Sequence, residues 1–170
     1  LRLASIPTED RDPNILNLIT YEDVATLKLN HDDDIFNKKS IVDGFTTNPT
    51  LMRAAGAKSY KDYSLKILKV RKKKPISFEV FGDSPKEMLK QAYKINKWGK
   101  NVYVKIPVVN SKGIFMGKVI KELSHKNIKL NITAVYTFEQ VLKVSKCLNK
   151  KTKSIISIFA GRMADKGKDP

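Results

Sequence analysis

From about residue 41 onward, short apolar runs alternate with stretches of helical spacing. The runs are SIVDGF (40–45), ISFEVF (76–81), NVYVKIP (101–107), IKLNIT (128–133) and SIISIF (154–159), and each predicts a strand. Between them, Ser84, Pro85 and Glu87 compose a capping box with proline at the first helical position. Met88, Leu89, Ala92 and Ile95 then supply an apolar stripe, and Gly99 is expected to close that helix. Met116, Val119, Ile120 and Leu123 make a second stripe, and Thr137 with Gln140 opens a third helix. Strand starts recur roughly every 25 to 35 residues, the spacing of one βα unit each. Repeated βα units imply a parallel sheet with right-handed crossovers, either doubly wound or closed into a barrel. A nucleotide-binding version would need a glycine-rich turn after its first strand, and neither GxGxxG nor GxxxxGK[ST] occurs.

Residues 1–38 read differently, as an atypical segment ahead of a βα-repeat domain over 39–170. IPTEDRDP is turn-rich and charged, and the run from Asn14 to Asn30 supplies one helix or strand. The three aspartates of HDDDI read as a solvated loop rather than a cation site. The first residue is Leu1 rather than Met, so an upstream start is expected to be missing.

The chain has 170 residues, 41% of them hydrophobic, which suits one domain with a real core. No apolar run reaches membrane-spanning length, and no signal-peptide pattern opens the chain. A single cysteine, Cys147, rules out an internal disulfide framework and points to a reducing cytoplasm. Lys and Arg total 33 against 17 acidic residues, a net charge of +16. Such a balance fits nucleic acid, a membrane surface or anionic small substrates. Only Arg2, Arg11, Arg53, Arg71 and Arg162 are arginines, the residue that base readout and phosphate clamping favour, so nucleic acid is disfavoured. VRKKKP (70–75) and NKKTK (149–153) are short, lack interleaved aromatics and read as solvated helix ends.

Candidate chemistry lies where polar residues interrupt the apolar runs. Glu79 sits between Phe78 and Val80, and Lys105 between Val104 and Ile106. Asn131 and Thr133 are two apart and share one face of their strand. Ser157 interrupts IISIF, and Asn48 follows the first run. All fall near the carboxyl ends of their strands, which in a parallel barrel form the active face. A lysine inside a buried strand is costly unless it is paired or loses its proton, and a neutral amine attacks carbonyls to form Schiff bases. Glu79 could then act as acid or base, through a water held by Thr133. Asn48 and Asn131 would bond substrate hydroxyls without adding charge. Taken singly, each has a plainer role: a strand-end lysine snorkels to water, Glu79 pairs with a lysine, and Asn131 and Thr133 cap a strand. Their joint placement on successive strands favours a site.

GFTTNPTL, FEV, VYVKIP, NITAVYT and SIFAGRMAD, in this order and at these separations, resemble the transaldolases and their small fructose-6-phosphate aldolase relatives, across about residues 40–169. The resemblance implies a (β/α)8 barrel whose Schiff-base lysine, on the fourth strand, is Lys105. It implies Glu79 as the third-strand glutamate and Asn131 and Thr133 as the fifth-strand pair. Thr46 and Asn48 come from the TTNP loop. From the sixth-strand motif come Ser157, Phe159 and Arg162, the last a phosphate ligand. Transaldolases carry glutamate and phenylalanine where the aldolase relatives tend to carry glutamine and tyrosine, so Glu79 and Phe159 favour the former. The implied activity is transfer of a dihydroxyacetone unit between phosphorylated sugars in the pentose phosphate pathway. No metal or organic cofactor is implied, because the imine is itself the electron sink. An aldolase that releases free dihydroxyacetone is the closer alternative, and a basic, non-catalytic nucleic-acid-binding protein the more distant one.

Two departures from the family pattern shape the expectations. The first-strand aspartate has no clear counterpart; Asp23 is the nearest candidate, and Asp32, Asp33 and Asp34 leave no room for a helix before Thr46. The chain also stops at Pro170, just after the sixth-strand motif. An incomplete barrel of about six βα units is therefore expected, with open edges that favour self-association into a homo-oligomer and little activity in isolation. His31 and His125 lie outside the motifs and read as surface residues.

Overall fold

A computed structural model describes residues 44–54, 56–70, 73–165 and 167. In chain order its elements are β1 (Phe45–Thr46), α1 (Pro49–Ala54), α2 (Tyr60–Val70), β2 (Ile76–Glu79), α3 (Pro85–Asn96), β3 (Val102–Pro107), α4 (Gly117–His125), β4 (Leu130–Val135), α5 (Phe138–Cys147), β5 (Ser154–Ile158) and α6 (Ala160–Ala164). The strands form one sheet in the order β1-β2-β3-β4-β5, every neighbouring pair parallel. A doubly wound sheet reverses its strand order at a switch point, whereas a barrel adds each strand beside the last. The sequential order therefore selects the barrel type, here a curled half-barrel of five strands among the described residues. These strands match the second to sixth of the implied barrel. The expected boundary at residues 38 and 39, Asp23, His31 and Asp32 to Asp34 lie outside the described residues.

The helices begin where local chemistry satisfies their free N–H groups. At α3 the Glu87 amide donates to Ser84 Oγ (3.3 Å), and the Ser84 amide donates to the Glu87 carboxylate (3.2 Å). Thr137 and Gln140 repeat that arrangement at α5. Gly99 does not cap α3, which ends at Asn96 with Lys97 still in the right-handed region. A Cβ at Gly99 would lie 3.3 Å from Asn101 Oδ1 and in ordinary contact, 3.5 Å, with Leu68 and Val102. Met116 stands at the N-cap of α4, ahead of its stripe, and is buried. His125 ends α4 and is exposed, as expected.

On β2 to β5 the even-numbered residues face the helices: Ile76, Phe78, Val102, Val104, Ile106, Leu130, Ile132 and Ile156 join Met88, Ala92, Ile120 and Leu123 in one core, and on β1 Phe45, in register with Ile76, enters the same core. Burying each large apolar side chain contributes about 1.5–3 kcal/mol. No helix among the described residues is long and apolar enough to cross a membrane.

The alternation breaks once. Between the pairs Ile132–Ile156 and Val135–Ile158, two residues on β4, Thr133 and Ala134, oppose Ser157 alone on β5. Ala134 adopts φ +59°, the left-handed region. This bulge shifts the phase, so odd-numbered Val135 joins the helix-facing core. Ala134→Gly is expected to fold with unchanged or higher stability. Ala134→Val should lose about 1–3 kcal/mol, because a β-branched residue is strained at that backbone angle. Urea denaturation of both variants checks this, and equal stabilities would contradict it.

Candidate active site

On β2 to β5, ahead of the bulge, the odd-numbered residues face the barrel interior, and the sheet register lines up the polar ones. Glu79 on β2 pairs with Lys105 on β3, and Lys105 pairs in turn with Asn131 on β4. Lys105 Nζ lies 3.6 Å from Glu79 Oε2, with the lysine side chain 10% exposed and the glutamate 26%. The ammonium that β3 carries inward is thus paired, which answers the cost of burying it.

Asn131 is wholly buried, and its amide is held on both sides. Its Nδ2 donates to Ser77 Oγ (2.9 Å), and its Oδ1 accepts from the Ser157 hydroxyl (2.7 Å). The chain Ser77–Asn131–Ser157 joins β2, β4 and β5 across the inner face and fixes the asparagine beside the lysine. One amide N–H and one lone pair are left over for a ligand. Ser77 is not among the residues singled out from the sequence, although its alternation with Glu79 in ISFEVF puts both on one face.

Thr133 is buried and its Oγ1 has no hydrogen-bond partner among the described residues; the same holds for Thr46 Oγ1. Unpaired buried hydroxyls are uncommon in folded proteins, and each is a natural contact for a water or substrate oxygen. Thr133 stands opposite Pro107 in the register, and Thr46 opposite Ser77. Asn48 starts α1, its carbonyl accepting from the Met52 amide (2.9 Å), and is half-buried.

The TTNP loop is anchored by a threonine not singled out from the sequence. Thr47 donates its hydroxyl to the Ser77 carbonyl (2.9 Å) and lies 3.3 Å from Tyr60 OH. Tyr60, the first residue of α2, accepts from the Glu79 amide (2.7 Å) and so holds the backbone that carries the carboxylate. Its ring meets Phe81 edge-on at 4.7 Å and Phe78 at 6.3 Å. Burial, the largest influence, pushes the Tyr60 phenol up to about 12, while hydrogen bonds to Thr47 and Glu79 pull the other way. A phenol raised in the folded state contributes stability that is present in full below its unfolded value near 10 and is lost as pH rises through about 12. Tyr60→Phe should flatten that alkaline decline and, by stranding the Glu79 amide, cost about 1–3 kcal/mol at neutral pH. Unfolding curves across alkaline pH measure both effects, and an unchanged alkaline profile would contradict the assignment.

The loops at the carboxyl ends of β2 and β3 are tied together. Gln91 Oε1 accepts from the Phe81 amide (2.5 Å) and the Gly82 amide (2.9 Å), and a Cβ at Gly82 would collide with Glu87. Asp83 accepts from the Ser111 amide (2.8 Å) and hydroxyl (2.7 Å), bonds that hold its carboxyl below the usual range. Phe159 and Arg162 form a separate pair just past β5. The Phe159 ring meets Tyr136 edge-on (5.7 Å), and the exposed Arg162 guanidinium lies 5.1 Å from the Phe159 ring centre. Arg162 makes no ion pair among the described residues. The structure thus gathers Glu79, Lys105, Asn131 and Ser157, with Thr133 beside them. Asn48, Phe159 and Arg162 stand on flanking loop and helix positions. No group of three His, Cys, Asp or Glu side chains suited to a metal ion occurs among the described residues.

Comparison with known proteins shows the family. The family model described as transaldolase/fructose-6-phosphate aldolase matches residues 23–170, beginning upstream of the quoted motifs. A probable transaldolase of Dehalococcoides mccartyi is 35% identical over 132 residues, covering 78% of this chain and 57% of that protein. Another from Streptococcus agalactiae is 37% identical over 133 residues, covering 78% and 57%. A third, from Thermoplasma volcanium, is 38% identical over 131 residues, covering 76% and 55%. The chain therefore spans little more than half the length of these relatives. With the match running through every described strand, the chain belongs to the transaldolase/fructose-6-phosphate aldolase family.

Proposed function

We propose that this chain carries the Schiff-base half of a transaldolase, which moves a dihydroxyacetone unit from a ketose phosphate to an aldose phosphate. The observation that carries the reading is the inward-facing Lys105 amine, 3.6 Å from Glu79 on the neighbouring strand. Lys105 Nζ gives a proton to Glu79 and attacks the ketose carbonyl carbon, and the carbinolamine oxygen leaves as water once protonated. Glu79 moves that proton through a water held by Thr133 Oγ1. The iminium then draws in the electron pair of the carbon–carbon bond between its α and β carbons as that bond breaks. That step gives an enamine on Lys105 and releases an aldose phosphate, the hydroxyl proton of the cleaved carbon passing to a base. The enamine attacks the aldehyde of the acceptor, and water hydrolyses the new iminium to free the product and the lysine. Asn131 and Asn48 hold substrate hydroxyls, Thr46 and Ser157 line the same face, and Arg162 on its Phe159 support meets the phosphate.

This reading makes residues 39–170 the barrel portion and residues 1–38 a separate segment, in a cytoplasmic enzyme of the pentose phosphate pathway. Glu79 and Phe159, rather than glutamine and tyrosine, favour transfer over release. The test is an assay of the protein as expressed from its gene, with fructose 6-phosphate supplied with and without an acceptor aldose phosphate. Ketose consumption that depends on the acceptor supports the transaldolase. Free dihydroxyacetone formed without acceptor would assign the aldolase instead, and neither product would overturn the proposal.

A further inference from the structure

The mechanism leaves unused a group of lysines at the opposite end of the sheet. Lys73 precedes β2, Lys100 precedes β3, Lys129 precedes β4 and Lys153 precedes β5, one for each of these four strands. With Pro75, Asn101 and Tyr103 they line an open surface pocket of about 390 Å³. Along the sequence VRKKKP and NKKTK have the character of solvated helix ends; in the structure Lys73 and Lys153 from those stretches converge with two lysines from other loops.

We infer that this pocket at the amino-terminal end of the strands is a second anion site, built for a small anion carrying several linked phosphates. The lining holds four lysines and no carboxylate. Gathering like charges costs energy that a polyanion between them would reverse. One of the four is already placed. Lys129 Nζ donates to the Lys100 carbonyl (2.6 Å) and lies 5.7 Å from the centre of the Tyr103 ring. The Asn101 amide donates to the Lys74 carbonyl (2.9 Å) and fixes the loop edge. Lysine acts on phosphate as a point charge with three donors, so four of them suit a chain of phosphates more than one planar carboxylate. Tyr103 is only 5% exposed and offers no free ring for a base to stack on, which argues against single-stranded nucleic acid as the occupant.

Calorimetric titration tests the site, using inorganic tripolyphosphate, a nucleoside triphosphate and a short single-stranded oligonucleotide as separate probes. Tripolyphosphate should bind one to one and weaken as salt rises from about 50 to 200 mM. The Lys129→Ala/Lys153→Ala double variant should bind it at least about tenfold more weakly, the scale of losing charge-assisted hydrogen bonds. Lys153→Gln alone, at an exposed position, should move affinity in the same direction and guards against a folding artefact in the double variant. Lys86→Ala, an exposed lysine in the first turn of α3 at the other end of the sheet, should leave tripolyphosphate binding unchanged. A nucleoside triphosphate binding more tightly than tripolyphosphate would extend the site to nucleotides while supporting it. Equal affinity in the Lys129 and Lys153 variants, loss of binding in Lys86→Ala, or tighter binding of the oligonucleotide would overturn the inference. The role of Lys105 is tested separately by its own covalent adduct, so either idea can fail alone.

Discussion

Lys105→Ala should lower sugar transfer by about four orders of magnitude or more, because it removes the only atom that joins enzyme to substrate in the proposed mechanism. The fold should survive. Lys105 faces the interior of the half-barrel rather than the helix-packed core, and its loss leaves Glu79 with partial access to water. Circular dichroism and the unfolding midpoint separate lost chemistry from lost structure. Transfer within tenfold of the parent, in a folded variant, would contradict the role.

Glu79→Gln should lower transfer by about a hundredfold, the low end of general acid–base effects, while binding of the sugar phosphate changes little. The amide keeps the shape of the carboxylate and the Tyr60 bond to the Glu79 backbone, so structure is not the cause. It cannot carry a proton between the amine and a water. The informative readout is the split between kcat and KM, together with the pH profile. A proton-transfer role lowers kcat and flattens the limb of the profile that reports the carboxylate. A glutamate that merely pairs with Lys105 would leave the profile shape intact.

Much of this arrangement is legible in the amino-acid sequence, because it rests on local rules. The capping boxes at Ser84 and Thr137 need only four residues each. Period-two alternation puts Glu79, Lys105 and Asn131 on equivalent faces of their strands, and the register then makes them neighbours. Strand order stays open between two architectures at the level of sequence, since alternation carries no information about which strands pair. Other features depend on contacts distant in sequence. Tyr60 reaches the Glu79 amide across 19 residues, and Asn131 reaches Ser77 across 54, so no local pattern announces either. The bulge is hidden for another reason. Its left-handed residue is Ala134, where a glycine or asparagine would draw notice. Gly99 misleads in the opposite sense, since its position after a helical stripe imitates a cap while α3 ends earlier, at Asn96. The lysines of the proposed anion site look like surface charge because each belongs to a different loop, and only the parallel sheet brings the loops together.

Everything in the proposed chemistry turns on Lys105 forming the covalent intermediate, and trapping that bond tests it most directly. The protein, expressed from its gene, is incubated with fructose 6-phosphate and borohydride, digested, and analysed by peptide mass spectrometry. One stable, sugar-derived mass increment is expected on the peptide containing Lys105, dependent on the ketose and absent from Lys105→Ala. Labelling on a different lysine, or a ketose-dependent adduct that persists in Lys105→Ala, would contradict it.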